Sequence, residues 1–214
     1  MQILAGTLRK LTDLRWLNLF EVEYKHESGK RGKWHFASRK QMPPLGPAPL
    51  QPDAVFIVPI LKTPQGNRLV VLKEFRVPLG DYEYSFPAGL QEPGETIEST
   101  VRRELAEETG LELTRILATS PPVVASAGMA DESAAITFVE CSGTPDSSGS
   151  DGTEEIEILL LDFKQLLTLR QSTVKFSAKA WLILLMFEAL GDIVFPWATG
   201  ARSTPISSPA IRDS

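Results

Sequence analysis

A chain of 214 residues, 43% hydrophobic and 23% charged, has the make-up of an ordinary globular protein and the length for one domain with a small annex. Its net charge of −5 excludes a general polyanion binder, so any phosphate it handles must meet a local cluster of Arg or Lys, or a metal. A single cysteine, Cys141, excludes an internal disulfide and fits a reducing compartment.

Residues 14–25 partly alternate apolar and polar side chains, which predicts a half-buried strand with Trp16 in the core. A charged turn over 27–32 returns the chain as a second strand over 33–39, completing a hairpin. The proline-rich run 43–52 reads as a linker, so an N-terminal hairpin unit is expected over 1–42 and a main domain over 53–200. There, 54–61 is a buried strand, 65–67 a turn and 68–75 its hairpin partner, with a shorter extended piece over 81–86. A helix is predicted over 95–109, because Ile97, Val101 and Leu105 recur one turn apart on one side. Strands follow near 112–118 and 134–140, the latter ending beside Cys141, a passive strand residue. The glycine- and serine-rich stretch 143–152 is a flexible loop by composition. Another strand covers 155–161, helices cover 163–169 and 178–190, and the Ser- and Pro-rich tail over 201–214 is expected to be poorly ordered. Antiparallel hairpins in place of βαβ repeats argue against a Rossmann sheet. The longest apolar run, 181–187, is far short of the ~20 residues of a membrane span, and no signal-peptide core follows Arg9 and Lys10. A cytoplasmic location without membrane contact is the expectation.

The most informative residues are Glu104, Glu107 and Glu108, at helical offsets of zero, three and four. Such offsets stack side chains on one helix face. Three acids so placed repel one another. They also occupy the last turns before Gly110, where the helix dipole disfavours negative charge. A bound divalent cation would relieve both costs, and oxygen-only ligands favour Mg2+ or Mn2+ over zinc or copper. A merely solvated acidic face would leave the flanking glycines and Arg103 unexplained.

The segment from Gly89 to Leu111 resembles the Nudix box, G-x5-E-x7-R-E-U-x-E-E-x-G-U with U aliphatic, at every constrained position: Gly89, Glu95, Arg103, Glu104, Leu105, Glu107, Glu108, Gly110 and Leu111. The resemblance implies an α/β/α sandwich with a mixed sheet, here with an N-terminal antiparallel β-hairpin unit added, and hydrolysis of a diphosphate joined to another group. It further implies that Glu104 and Glu108 are direct metal ligands with the carbonyl of Ala88, and that Glu107 binds metal or a metal-bound water. Arg103 and Glu95 would orient the carboxylates, while Gly89 and Gly110 frame the motif.

The flanks resemble the ADP-ribose and ADP-sugar pyrophosphatase branch. An Arg-x-Pro starting at Arg76 precedes F-P-A-G-L, and Arg76 holds that branch's phosphate-binding place, which suits a guanidinium fork. Trp34 and Arg39 match a tryptophan that stacks on adenine and an arginine that reaches phosphate. In this branch the hairpin is exchanged between two subunits, so a homodimer is implied. A catalytic glutamate on a loop beyond the box is matched best by Glu154, with Glu155 as the neighbouring choice. Ser85 stands where the branch often has Glu, and Ser126-Ala127-Gly128, followed by Asp131 and Glu132, replaces its usual Ser-Pro-Gly turn. The implied reaction is Mg2+-dependent cleavage of nucleoside diphosphate sugars, ADP-ribose giving AMP and ribose 5-phosphate. Dinucleoside polyphosphates, coenzyme A, an RNA 5′ end, or a non-catalytic sensor of nucleotide sugars remain open. Net acidity and the lack of a basic stripe argue against nucleic acid.

Overall fold

In a computed structural model the chain is described over residues 1–46, 51–147 and 155–195. The N-terminal region forms an antiparallel sheet of β1 (Gln2–Ile3), β2 (Arg9–Lys10), β3 (Asn18–Lys25) and β4 (Arg31–Ser38), with β3 hydrogen-bonded to each of the others. The predicted hairpin is present as β3 and β4, with two differences. β3 begins at Asn18, not at residue 14. The Asn18 side chain accepts from the Leu14 N–H at 2.7 Å and donates to the Leu14 carbonyl at 2.8 Å. Such local bonding offers the backbone an alternative to a ladder. Consequently Trp16 falls outside the strand's inward alternation. Expected in the core, it is 65% exposed, with the Arg15 guanidinium 4.3 Å from its ring.

The main sheet contains β5 (Ala54–Thr63), β6 (Gly66–Arg76), β7 (Asp81–Ser85), β8 (Ala88–Leu90), β9 (Glu112–Thr119), β10 (Val123–Val124), β11 (Ser133–Ser142) and β12 (Ile156–Leu161). Its spine runs β10-β11-β5-β6-β12, with β7 on β6, β8 on β5 and β9 on β11. β11 runs parallel to β5, whereas the other pairings are antiparallel, so the sheet is mixed. The helices are α1 (Ile97–Thr109), α2 (Phe163–Arg170) and α3 (Ala178–Leu190).

β5 is a near-continuous apolar run because both of its faces are covered. Val55 and Ile57 pack with Val101 and Leu105 of α1. Phe56 and Val58 pack with Leu184 and Phe187 of α3. Helices on both faces of a mixed sheet give the α/β/α sandwich implied by the sequence. The N-terminal sheet is stitched to it at Ala37, whose N–H donates to the Met129 carbonyl at 2.8 Å, and by a Lys40–Asp53 ion pair at 2.6 Å.

α1 starts later than predicted. Thr96 is its N-cap and forms a reciprocal capping box with Ser99, a device worth ~1 kcal/mol. Glu95 thus lies just outside the helix. Gly110 closes it in the left-handed conformation, φ +67°, as the sequence predicts. Cys141 is fully buried on β11. The tail over 201–214, residues 148–152 of the predicted loop and residues 47–50 of the predicted linker lie outside the described residues. Among the described residues no helix is long and apolar enough to cross a membrane.

Candidate active site

β8 is pinned to β5 by the register Val55↔Gly89 and Phe56↔Ala88. The core position of β5 therefore fixes where the Ala88–Gly89 backbone sits. α1 lies against the same strands and brings its acids to that backbone. Glu104 and Glu108 are both buried. The Ala88 N–H donates to Glu108 Oε2 at 3.1 Å. Glu104 approaches so closely that a β-carbon on Gly89 would lie 1.8 Å from its Oε1. The glycine leaves a cradle, and a carboxylate fills it.

Arg103 supplies a cation from within the chain. Its guanidinium donates to Glu95 Oε1 at 2.9 Å and Oε2 at 3.0 Å, to Glu104 Oε1 at 2.7 Å, to Glu107 Oε2 at 3.2 Å and to the Leu90 carbonyl at 2.9 Å. Two of the three helix acids are therefore already neutralised in part, a route to relief that the carboxylate spacing alone does not reveal. The Arg103 hydrogen bonds, joined by the Glu92 N–H and the Thr100 hydroxyl, hold the Glu95 carboxyl down to about 2. Glu107 is half-exposed on the outer side of the arginine.

Among the described residues no three His, Cys, Asp or Glu side chains surround one point. Glu104 and Glu108 instead converge on the Ala88–Gly89 main chain. The two buried carboxylates offer hard oxygen ligands of the kind a divalent cation such as Mg2+ takes, and any side chain at position 89 would displace Glu104 from its place.

The remaining sequence-predicted residues are spread over neighbouring elements. Arg76, at the end of β6, pairs with Glu74 at 2.5 Å and Glu83 at 3.4 Å. Arg39 pairs with Glu132 at 2.8 Å across the seam between the two sheets. Trp34 is 48% exposed and lines a cavity of about 430 Å3 with Val22, Phe36, Val124 and Asp131. Glu154 lies outside the described residues. Its neighbour Glu155 is held by the Tyr82 hydroxyl. Ser85 is buried and bonded to Ser177, the N-cap of α3, at 3.1 Å, so its place is occupied by a helix tether. Asp131 on the cavity wall and Tyr82 are features the spacing does not single out. The two acids that follow Ser126-Ala127-Gly128 are the only trace of the first.

A mixed sheet that presses an acid-bearing helix onto a glycine-backed strand gives an α/β/α sandwich with two buried carboxylates set against one stretch of backbone. A model of the NUDIX domain matches residues 50–182, and the chain belongs to the Nudix family of hydrolases. It is 30% identical over 168 residues to the ADP-sugar pyrophosphatase of Mus musculus, covering 74% of this chain and 72% of that protein. It is 31% identical over 138 residues to the ADP-ribose pyrophosphatase of Saccharomyces cerevisiae, covering 64% of this chain and 57% of the yeast protein. The fold matches a crystal structure of an ADP compounds hydrolase with a TM-score of 0.66 at 19% identity, covering 89% of this chain and 96% of that one. Nudix hydrolases generally work with a divalent metal.

Proposed function

We propose that this Nudix hydrolase cleaves the diphosphate bond of nucleoside diphosphate sugars, converting ADP-ribose to AMP and ribose 5-phosphate, with Mg2+ as its metal and Mn2+ as a substitute. The observation that carries this reading is the convergence of Glu104 and Glu108 on the Ala88–Gly89 backbone. The names of the mouse and yeast relatives support the substrate class.

Glu104 and Glu108, with the Ala88 carbonyl, are the residues that would hold the metal, and Glu107 would reach it or its water. When bound, the metal would neutralise charge on the leaving phosphate oxygen and acidify an attacking water. Arg103, tethered by Glu95, keeps Glu104 and Glu107 oriented. Arg76 sits between two carboxylates, and a diphosphate offers it a more highly charged partner. Trp34 offers an aromatic face over an apolar cavity, suited to stacking an adenine, and Arg39, paired with Glu132 next in sequence to the cavity-lining Asp131, would serve as a phosphate contact. Glu154 is the proposed loop base, acting on the water.

The working form is a homodimer with exchanged N-terminal hairpins, located in the cytoplasm. Exposed Leu14, Trp16, Leu17 and Leu19 support a second copy, because an apolar run on the N-terminal unit is costly unless covered. Light scattering on the purified protein should then give twice the chain mass.

The decisive assay mixes protein, ADP-ribose and Mg2+ and follows AMP. Glu108→Gln should lower turnover at least about a hundredfold. Wild-type rates in that variant would refute the metal assignment. Equal activity on a dinucleoside polyphosphate or coenzyme A would refute the substrate assignment.

A further inference from the structure

Three strands, β7, β6 and β12, lie side by side beyond the carboxylate helix, and their pleat sorts side chains between two faces. On β12, Ile158 and Leu160 pack with α1, whereas Leu159 and Leu161 pack on the α2 and α3 side. Odd-numbered residues therefore face away from α1. Glu157 follows this rule and pairs with Lys73 at 2.8 Å, directly opposite it in the ladder. Glu155 precedes β12 with the same parity. It meets Tyr82, which stands opposite Phe75 on the far side of β6.

Glu155 is fixed at both its side chain and its main chain. The Tyr82 hydroxyl donates to Oε1, and the Phe75 N–H donates to the Glu155 carbonyl at 3.1 Å. The tyrosine ring is itself immobilised. Phe75 meets it edge-on with ring centroids 5.5 Å apart, and Lys73 Nζ lies 4.7 Å from its centre. The hydrogen bond to Glu155, with burial and the nearby negative charge, raises the Tyr82 phenol above its ordinary value.

We propose that Tyr82 is a positioning residue, clasping Glu155 across β6 so that Glu155 serves as the anchor of the strand entering the site and not as its base. The proposal rests on the diphosphatase reading above, and it decides a choice that the sequence leaves open between two adjacent glutamates. One residue from the clasp, Arg76 faces Glu74 and Glu83 on the α1 side. The clasp thus sets the edge of the site from behind, without touching substrate. A phenol that bridges three strands restrains the chain at the point where it joins the sheet, and an error of about 1 Å in such placement costs a large factor in rate.

The test uses Tyr82→Phe and Glu155→Gln in the full chain, with melting curves to verify folding. Glu155→Gln keeps an oxygen that accepts the phenol hydrogen bond. Its kcat on ADP-ribose should stay within about twofold of wild type, with an unchanged acid limb in the pH profile. Tyr82→Phe loses the donor. Its kcat should fall about tenfold with KM held within about twofold. In the same variant, amide hydrogen exchange at Phe75 and residues 156–158 should speed up while that of α1 does not change. A hundredfold loss in Glu155→Gln would make Glu155 the base and overturn the proposal. So would wild-type kcat or wild-type exchange in Tyr82→Phe. Should the wild-type protein fail to hydrolyse ADP-ribose, the substrate reading fails on its own, and the exchange measurement still decides the clasp.

Discussion

Glu104 rests its carboxylate on the backbone of Gly89, where a β-carbon would come within 1.8 Å of Oε1. The obstructing atoms are the far end of a flexible side chain, so a methyl group there pushes the carboxylate aside and leaves the sheet in place. Gly89→Ala should therefore fold, with a melting temperature close to wild type, and lose function. Turnover on ADP-ribose should drop at least about a hundredfold, because the Glu104 carboxylate proposed to hold the metal is pushed off its place at Gly89. Calorimetric titration with Mn2+ should show the same loss without any substrate present. A fully active Gly89→Ala would mean that the cradle does not matter.

Gly110 makes the opposite case. Its φ of +67° is one that side chains resist, and a β-carbon there would lie 2.8 Å from the Asp146 carbonyl and 2.9 Å from its amide nitrogen. Those are backbone atoms, and the Asp146 N–H is tied to the Thr109 carbonyl at 2.8 Å. Neither side can yield cheaply. Gly110→Ala should lose at least ~1 kcal/mol of stability in urea denaturation, chiefly from the left-handed conformation. The activity that survives should belong to the remaining folded fraction.

How much of this is legible in the chain depends on distance along it. The carboxylate helix, its glycine cap and the strand that backs it lie within one stretch, so spacing alone brings Glu104, Glu107 and Glu108 to one face. The Arg103–Glu95 pairing comes from the family resemblance, and the geometry adds that the same guanidinium also takes Glu104 and Glu107. Trp16 is not legible, because its exposure depends on Asn18 turning back to Leu14. β1 and β2 are two residues each, too short to show a period of two. The parallel pairing of β5 with β11 and the Tyr82–Glu155 contact join residues that no local pattern relates. These long-range choices are made by packing, on which a period carries no information.

Acid should expose the role of Glu95. Its carboxyl is held at about 2 when folded, against an ordinary 4.5, first by Arg103 and then by the Glu92 N–H and Thr100. A depressed folded value means that the unfolded chain binds the proton more readily. The stabilisation is complete above pH 4.5 and is lost as pH falls toward 2. Glu95→Gln should thus be less stable than wild type at pH 7, and the gap should close as both are titrated down through that window. Urea midpoints measured every half unit of pH provide the check. A gap that is constant from pH 7 to 2 would show that the pair owes its effect to shape and not to charge.

Cys141 gives the last prediction, and it reads the core directly. The thiol lies fully buried between β5 and β9, with Val139, Leu113 and Val101 in the same cluster. Burial, with a smaller contribution from Glu140, pushes it up to about 12. Thiol–disulfide chemistry needs a thiolate and access, and the native protein at pH 8 supplies neither. A disulfide reagent such as DTNB should therefore label no thiol in the folded state and one per chain in urea. Because labelling waits for the sheet to open, its rate in dilute denaturant should follow the opening equilibrium of β11, and Gly110→Ala should accelerate it. Rapid labelling of the native wild type would place Cys141 at an accessible surface and contradict the packing of α1 on this sheet.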